Sequence, residues 1–380
     1  MIHTFSFPTK IQFGFGASKN LPKSLLDAGV RKVLVVTDKG IVSQPFFEEI
    51  CGNLRQASLQ VGVFSDVSGN PVKGQVEAGV AAYRKANANG IVGIGGGAAL
   101  DVAKAIGLLS SHSGDLFDYE DGKTGALPIE NKIPFWVALP TTSGTGSEVG
   151  RSSVISDEKT HIKKIIFSPY LLAPLVLADP ELTMKLPPPI TAATGMDALT
   201  HCVEAFLARD YHPICDGIAL EGLRLAAEHL EKAVCDPTNK EARAGMMLSS
   251  LMGAIAFQKG LGLTHSCAHA LSTVVNMHHG LANGVMIDFA LKRNGAAAKA
   301  RFQRMAQTIG LKDSSAEGFL KWLTQLKKSI GIPANLREAK VDAKNLKPLT
   351  QFAFADSCHQ NNPVPISESD FEKIFSEALG

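Results

Sequence analysis

Two stretches of the chain carry imidazoles and a carboxylate at helical spacing. In Gly195-Met-Asp-Ala-Leu-Thr-His201, Asp197 and His201 stand four residues apart, and on a helix such residues share a face. His265-Ser-Cys-Ala-His269 repeats the spacing, and His278-His279-Gly280 follows. Five of the eleven histidines fall in these stretches. A lone helical histidine is usually structural, whereas three or more with one aspartate are better explained by a divalent metal. Imidazole with carboxylate suits Fe(II) or Zn(II), not Ca or Mg. Cys202 and Cys267 adjoin these residues, but one helical step is about 100°, which turns them towards the core.

Three further signals concern a nucleotide. Ile91-Val-Gly-Ile-Gly-Gly-Gly97 runs straight into Ala98-Ala-Leu-Asp-Val-Ala-Lys104. Glycines let a ligand approach the backbone, and a helix N-terminus offers free N–H groups to phosphate. The spacing is not G-x-G-x-x-G, so the ordinary dinucleotide fingerprint does not apply. Asp38 directly follows the apolar run Lys32–Thr37. A carboxylate there can bind ribose hydroxyls and repel a 2′-phosphate, although Asp38-Lys39-Gly40 is also good turn and helix-capping chemistry. Pro140-Thr-Thr-Ser-Gly-Thr-Gly-Ser-Glu148 crowds hydroxyls and glycines into a loop after the apolar run Phe135–Leu139. Each signal falls at the C-terminal end of an expected strand, where open α/β sheets bind ligands.

The elements that must position these groups follow from periodicity. Lys32–Thr37, Gln60–Phe64, Ile91–Ile94 and Phe135–Leu139 read as strands, with helices over Pro45–Ala57 and Val72–Ala86. This alternation predicts a parallel sheet with helices on both faces. Thr4–Phe13, followed by Gly14 and Gly16, is expected to stand apart as a hairpin arm. Beyond Asp179-Pro180 and Leu186-Pro-Pro-Pro-Ile190 the patterns turn helical, over 190–208, 214–233, 239–259 and 264–276. The expectation is an α/β Rossmann-like domain over 1–184, an all-α domain over 185–380 and a cleft between them.

The 380 residues suit about two domains. A net charge of +2 with scattered Lys and Arg argues against nucleic acid as a partner. The most apolar helical run, Gly245–Phe257, is shorter than the roughly 20 residues a membrane span needs, so no membrane is expected. The first ten residues lack a long apolar stretch, and the six cysteines include no C-x-x-C pair. The expectation is a cytoplasmic chain with reduced thiols.

Taken together, GGG-A-A-L-D-V-A-K, P-T-T-S-G-T-G-S-E, T-A-A-T-G-M-D-A-L-T-H and H-x-x-x-H-x9-H-G resemble, in order and spacing, the iron-containing (group III) alcohol dehydrogenase family. The resemblance covers nearly the whole chain. It implies the dehydroquinate synthase-like fold, NAD, one divalent metal (Fe(II), with Zn(II) as the second choice), a small alcohol or aldehyde as substrate, and a homo-oligomer of at least two subunits. It also implies roles. Asp197, His201, His265 and His279 are similar to the metal ligands, with His279 preferred to His278 because it precedes Gly280. His269 resembles the histidine beside the nicotinamide, a catalytic group that does not bind the metal. Asp38, Asn70, Gly96, Gly97, Thr141, Thr142, Thr145 and Lys163 resemble the cofactor contacts. Two departures stand out: the loop reads GGGAA where many members have GGGS, and Asn362-Pro363-Val364 replaces N-P-R.

The implied chemistry is alcohol oxidation, with Lewis-acid help at the oxygen, hydride transfer to NAD and a proton relayed through His269. Two rivals remain. A dehydroquinate synthase-like cyclase shares the fold, but its ligand set is usually two histidines and one acid. A non-catalytic metal-binding protein has no need of a nucleotide loop. Within the family, Ala205–Leu220, Ala256–Gly262, Asp356–His359 and Asn362-Pro363 look most like a branch acting on 4-hydroxybutyrate. Arg151 and His359 are then the candidates for holding its carboxylate.

Overall fold

The structure is a computed structural model that describes residues 7, 9–130, 132–160, 162–295 and 297–380. Contacts divide it into two compact units. Of the described residues, one holds those up to Thr142 together with Gly146–Thr183, and the other holds Ser143–Thr145 and Met184–Gly380.

The first unit is built on strands β1 (Lys10–Phe13), β2 (Lys32–Val36), β3 (Gln60–Phe64), β4 (Gly90–Gly95) and β5 (Phe135–Pro140), the hairpin strands β6 (Ser152–Ser156) and β7 (Lys163–Phe167), and β8 (Leu175–Ala178). Six strands form one sheet in the order β1-β8-β5-β4-β2-β3, every pair parallel. The central strand β4 is buried along its whole length, as a strand covered on both faces must be. On one face Val33, Val35, Val92, Ile94, Val137 and Leu139 pack with Leu21, Leu25, Phe47, Ile50 and Leu54. On the other, Gly93 leaves room for Leu100 and Ala103 of helix Gly97–Ser111. The chain leaves β2 for β3 at the edge and then crosses back to β4, so the strand order reverses between β2 and β4. That reversal is where a parallel sheet opens a ligand crevice.

One expectation is corrected. Residues 10–13 form no hairpin arm; they pair in parallel with β8 and close the sheet edge. Thr4–Ser6 and Pro8 of that stretch lie outside the described residues. The reason lies in a partner far along the chain. Gly14 and Gly16 take positive φ, and Asp179 accepts hydrogen bonds from Gly16 N, Ser18 N and Ser18 Oγ. The carboxylate after β8 thereby fixes the turn after β1. The antiparallel β6–β7 pair and β8 itself carry no strong sequence signal and were not expected.

The second unit is helical, with Pro188–Leu207, Pro213–Cys235, Lys240–Ala256, Leu263–Val275 and His279–Asn294 packed on one another, followed by shorter C-terminal helices. Cys202 and Cys267 lie in its core. Among the described residues no single helix is long and apolar enough to cross a membrane.

Lys104 is fully buried and supports the loop after β5. Its ammonium donates to Ser147 O, Ser147 Oγ and Ser152 O at 2.7–2.8 Å. Asp101, one turn earlier, accepts from Ser147 Oγ and Val154 N. Burial pushes the neighbouring Glu148 up from 4.5 to about 7, with Lys104 opposing. The folded chain therefore keeps this proton longer than the unfolded chain does. The associated stability is complete below pH 4.5 and is lost as the pH rises through about 7. Denaturant unfolding at pH 5 and pH 8 should show wild type losing up to about 3 kcal/mol relative to Glu148→Gln over that span; parallel pH profiles would remove Glu148 as the cause.

Candidate metal and nucleotide sites

Three helices converge to make a cluster of ligand-type side chains. Pro188–Leu207 supplies Asp197 and His201 from one face, Leu263–Val275 supplies His265 and His269, and His279 opens the helix His279–Asn294. The close approach depends on Gly280, since a Cβ there would lie 2.3 Å from Ala193 O. His278 Nδ1 accepts from Leu281 N and caps this helix, which leaves His279 to face inward.

The Nε2 atoms of His201, His265 and His279 stand 3.8, 3.9 and 3.5 Å from Asp197 Oδ1. Asp197, His265 and His279 are the tightest set, each with a donor within 4.8 Å of the others. His201 joins at its edge, its ring stacked on His265 at 4.8 Å. Ligands of a tetrahedral ion at about 2.0–2.2 Å are themselves about 3.4 Å apart, so little movement is needed to close on a metal. Asp197, His201 and His265 are buried, and the His279 side chain keeps 24 % exposure, the open side of the cluster.

The protonation states suit metal binding. Burial pushes His201 down to about 4, so it is neutral at pH 7. His265 Nδ1 lies 2.7 Å from Glu204 Oε2, and Glu204 also accepts from the backbone N–H groups of Gly262, Thr264 and His265. Burial alone would raise the carboxyl, yet the bonds from His265 and Thr264 hold Glu204 below its ordinary value. The ionised carboxylate bonds to Nδ1 of His265 and so turns Nε2 towards the cluster. Although burial opposes it, Glu204 and Asp197 hold His265 above its ordinary value, so an ion taking Nε2 displaces a proton. Asn283, one turn after His279 and fully buried, places Nδ2 at 2.7 Å from Asp197 Oδ1, 3.4 Å from His265 Nε2 and 3.2 Å from His279 Nε2. Its Oδ1 is buried without a hydrogen-bond partner. Lone pairs converging on one point, served by a single amide, fit a cation.

His269 lies beside this set, stacked on His279 at 5.2 Å, with Nδ1 2.8 Å from Asp356 Oδ2. Asp356 also accepts from Ser266 Oγ and Cys358 N. Although burial opposes it, the His269 imidazole and these donors hold the Asp356 carboxyl well below the usual carboxylate range. Burial and the Asp356 carboxylate push the Cys358 thiol up.

On the sheet, the three expected nucleotide segments follow the adjacent strands β2, β4 and β5. Gly95 has φ of 154°, and a Cβ there would come within 2.6 Å of Ala99 Cβ and 3.7 Å of Asp38 Oδ2. A Cβ on Gly96 would lie 3.3 Å from the Thr142 side chain, and Thr141 N donates to Gly95 O. The structure therefore brings Asp38, Gly96, Gly97, Thr141 and Thr142 together. Helix Gly97–Ser111 begins with no side-chain cap, leaving its first N–H groups for an anion. Asp38 Oδ1 does cap Ile41 N, so the capping role is real, and Oδ2 remains on the Gly95 side. Pro71, next to Asn70, accepts from Ser156 N, and Ser156 pairs with Lys163, which places Asn70 and Lys163 at one end of the β6–β7 hairpin. Thr145 groups with the helical unit.

The two candidates for a substrate carboxylate have other surroundings. Arg151 lies over the Phe167 ring at 5.3 Å in the first unit. His359 is buried between Phe354 and Phe371, its backbone N–H on Ser266 Oγ. Sequence reasoning missed Glu204, Asn283 and Asp356. Glu204 was within reach, lying on the Asp197–His201 face at positions i+7 and i+3, as was Asn283 at i+4 from His279. Asp356 stands out in the sequence only as part of the stretch Asp356–His359, and nothing local ties it to His269.

Comparison with known proteins places this geometry. A model described as "Iron-containing alcohol dehydrogenase" matches residues 8–180, and "Fe-containing alcohol dehydrogenase family, C-terminal" matches 191–379. The chain is 36 % identical to 4-hydroxybutyrate dehydrogenase of Cupriavidus necator, covering 98 % of each chain. It is 35 % identical to NAD-dependent methanol dehydrogenase of Bacillus methanolicus, covering 99 % of each. A solved 1,3-propanediol oxidoreductase superposes with a TM-score of 0.94 at 34 % identity, over all of both chains. Sulfoacetaldehyde reductase of Bifidobacterium kashiwanohense, solved with NAD+, gives 0.92 at 30 % identity, over 100 % of this chain and 99 % of that one. With both halves matched and the ligand-type residues converging as described, the chain belongs to the iron-containing alcohol dehydrogenase family, the NAD-linked, metal-dependent oxidoreductases that act on alcohols.

Proposed function

We propose that this protein interconverts 4-hydroxybutyrate and succinic semialdehyde, as a cytoplasmic homodimer or larger oligomer with reduced thiols. The observation that carries the alcohol–aldehyde chemistry is the convergence of His201, His265 and His279 on Asp197 Oδ1, with Asn283 Nδ2 touching all but His201. When bound, a divalent ion supplies Lewis acidity towards the substrate oxygen and NAD supplies the hydride acceptor. The chain does the rest. Glu204 fixes the His265 tautomer, and Asn283 holds Asp197 in place. His269, oriented by Asp356, takes the alcohol proton through the ring nitrogen not used by that carboxylate. Asp38 selects NAD by repelling a 2′-phosphate. Gly96, Gly97, Thr141, Thr142, Thr145, Asn70 and Lys163 complete the cofactor contacts, and the domains divide at 184/185.

The substrate assignment is supported by the named relative at 36 % identity, against 35 % for the methanol enzyme, so the carboxylate has to be tested directly. The stretches resembling the 4-hydroxybutyrate branch, near 216 and 259, meet in an ion pair between buried Lys259 and half-buried Asp216. A carboxylate-binding site should raise kcat/KM for succinic semialdehyde about tenfold or more over butyraldehyde, one charge-assisted hydrogen bond being worth roughly 1.5–3 kcal/mol. Equal or better use of butyraldehyde would assign the enzyme to neutral short-chain alcohols.

Cofactor choice has its own test. Wild type should prefer NAD, and Asp38→Gly should lower the NAD:NADP ratio of kcat/KM by about tenfold or more, ~1.4 kcal/mol of like-charge repulsion. A wild type indifferent to the two cofactors would clear Asp38 of this role.

Metal retention separates ligands from the proton acceptor. Elemental assay for iron, the ion expected at the Asp197 cluster, should find none bound in His201→Ala or His279→Ala. His269→Ala should keep the metal and lose about 10²–10⁴ in rate. Metal lost from His269→Ala but kept in His279→Ala would exchange the two roles.

A further inference from the structure

His269, Asp356 and Cys358 form a second group of ligand-type side chains, each offering an atom within 4.8 Å of the others. We propose that they are a second metal site, one that takes a soft or borderline divalent ion such as Zn(II) and inhibits the enzyme when filled. The inhibitory consequence rests on the reading of His269 as proton acceptor; the site itself does not.

The donor set is the first argument. An imidazole nitrogen, a carboxylate oxygen and a thiolate sulfur are a known kind of zinc ligand set, with three protein groups leaving the fourth position to water. The set differs from Asp197, His201, His265 and His279 in containing sulfur, so the two sites differ in softness.

Preorganisation is the second. Asp356 is held by three hydrogen bonds, from Ser266 Oγ at 2.7 Å, from Cys358 N at 2.9 Å and with His269 Nδ1 at 2.8 Å. The bond from Cys358 N closes a short turn that sets the cysteine next to the carboxylate. Two ligands about 2.0–2.1 Å from a tetrahedral ion are about 3.3 Å apart. His269 Nδ1 and Asp356 Oδ2 therefore separate by only about half an ångström to admit an ion. The ion replaces the proton between them, and the thiol proton leaves to solvent as the Cys358 sulfur bonds to the metal.

Access is the third. The side chains of His269 and Asp356 are 29 % and 19 % exposed, whereas those of Asp197 and His265 are 2 % and 1 % exposed. Solvent reaches two ligand groups of the second site, whereas the first cluster is open only at His279, which is 24 % exposed. An ion there holds Nδ1 of His269 and fixes a ring that must exchange protons in turnover.

Cobalt distinguishes the two sites. Co(II) on one carboxylate and three imidazoles gives only weak visible bands, whereas Co(II) on a thiolate adds an intense near-ultraviolet charge-transfer band. Metal-free, full-length protein titrated with Co(II) under anaerobic conditions should bind a first equivalent with weak bands and a second with the charge-transfer band. Cys358→Ser and Cys358→Ala should each keep the first equivalent and lose the second together with its band. Cys235→Ser, which removes the exposed thiol, should keep both. Excess Zn(II) should slow wild type and leave the rate of Cys358→Ser unchanged. A single equivalent without the band in wild type, or a band that survives both Cys358 variants, overturns the second site. A charge-transfer band without the weak bands counts against the first cluster and leaves the second standing. Zinc insensitivity despite the band overturns the inhibitory role.

Discussion

The helical unit is organised around a problem of electrostatics. Three imidazole Nε2 atoms stand within 3.9 Å of Asp197 Oδ1, in surroundings from which water is largely excluded. Acceptors placed that way repel, and a buried lone pair left unserved costs about 1–3 kcal/mol. A cation would satisfy all four at once. Asn283 is the partial remedy within the chain, one amide nitrogen shared among Asp197, His265 and His279. Glu204 engages Nδ1 of His265 and three backbone N–H groups besides, which turns Nε2 towards the cluster. Although burial opposes it, Glu204 and Asp197 also hold His265 above its ordinary value, so an ion binding there displaces a proton. Burial of His201 instead favours its neutral form. The packing follows suit: Gly280 has no side chain because the backbone of Ala193 occupies the place where a Cβ would be.

The sheet unit solves a different problem, the holding of a ligand by backbone at a strand edge. Gly95 adopts a positive φ and Gly96 lies under Thr142, so the first turn of helix Gly97–Ser111 presents bare N–H groups. Lys104 and Asp101 of the same helix reach Ser147, and Lys104 reaches Ser152 O as well. The helix that offers its N-terminus therefore also anchors the hydroxyl loop from inside. This gives the run Leu100-Asp-Val-Ala-Lys104 a structural meaning that its apolar periodicity does not suggest.

What was legible in the sequence was local. The four strands Lys32–Thr37, Gln60–Phe64, Ile91–Ile94 and Phe135–Leu139 could be read because each is a short apolar run bounded by turn residues, and each agrees with the structure to within one residue at either end. Asp197 with His201 and His265 with His269 were visible for the same reason, one helical turn being a fixed spacing. What escaped was set by long-range partners. Residues 10–13 join the sheet because β8, more than 160 residues on, offers a parallel edge and Asp179 ties down the turn. Asp356 orients His269 from 87 positions away, and no periodicity carries that information. Glu204 and Asn283 lie between these cases, on helix faces already identified but of residue types that read as ordinary core exceptions until their partners are seen.

The two histidines of helix Leu263–Val275 show how far identical spacing can diverge in role. His265 and His269 are one turn apart, and each has Nδ1 on a carboxylate. Glu204 belongs to the helix that also bears Asp197 and His201, and it is buried, so its bond to His265 is rigid and shut off from solvent. Asp356 follows the helix Leu346–Ala355, close to the C-terminal end of the chain, and keeps partial exposure. A sealed carboxylate fixes its histidine in one tautomer, with Nε2 towards Asp197. A half-open one leaves its histidine within reach of solvent. The proposed division of labour between metal ligand and proton acceptor thus follows where each carboxylate enters the fold, a property of tertiary structure that the repeated four-residue spacing cannot express.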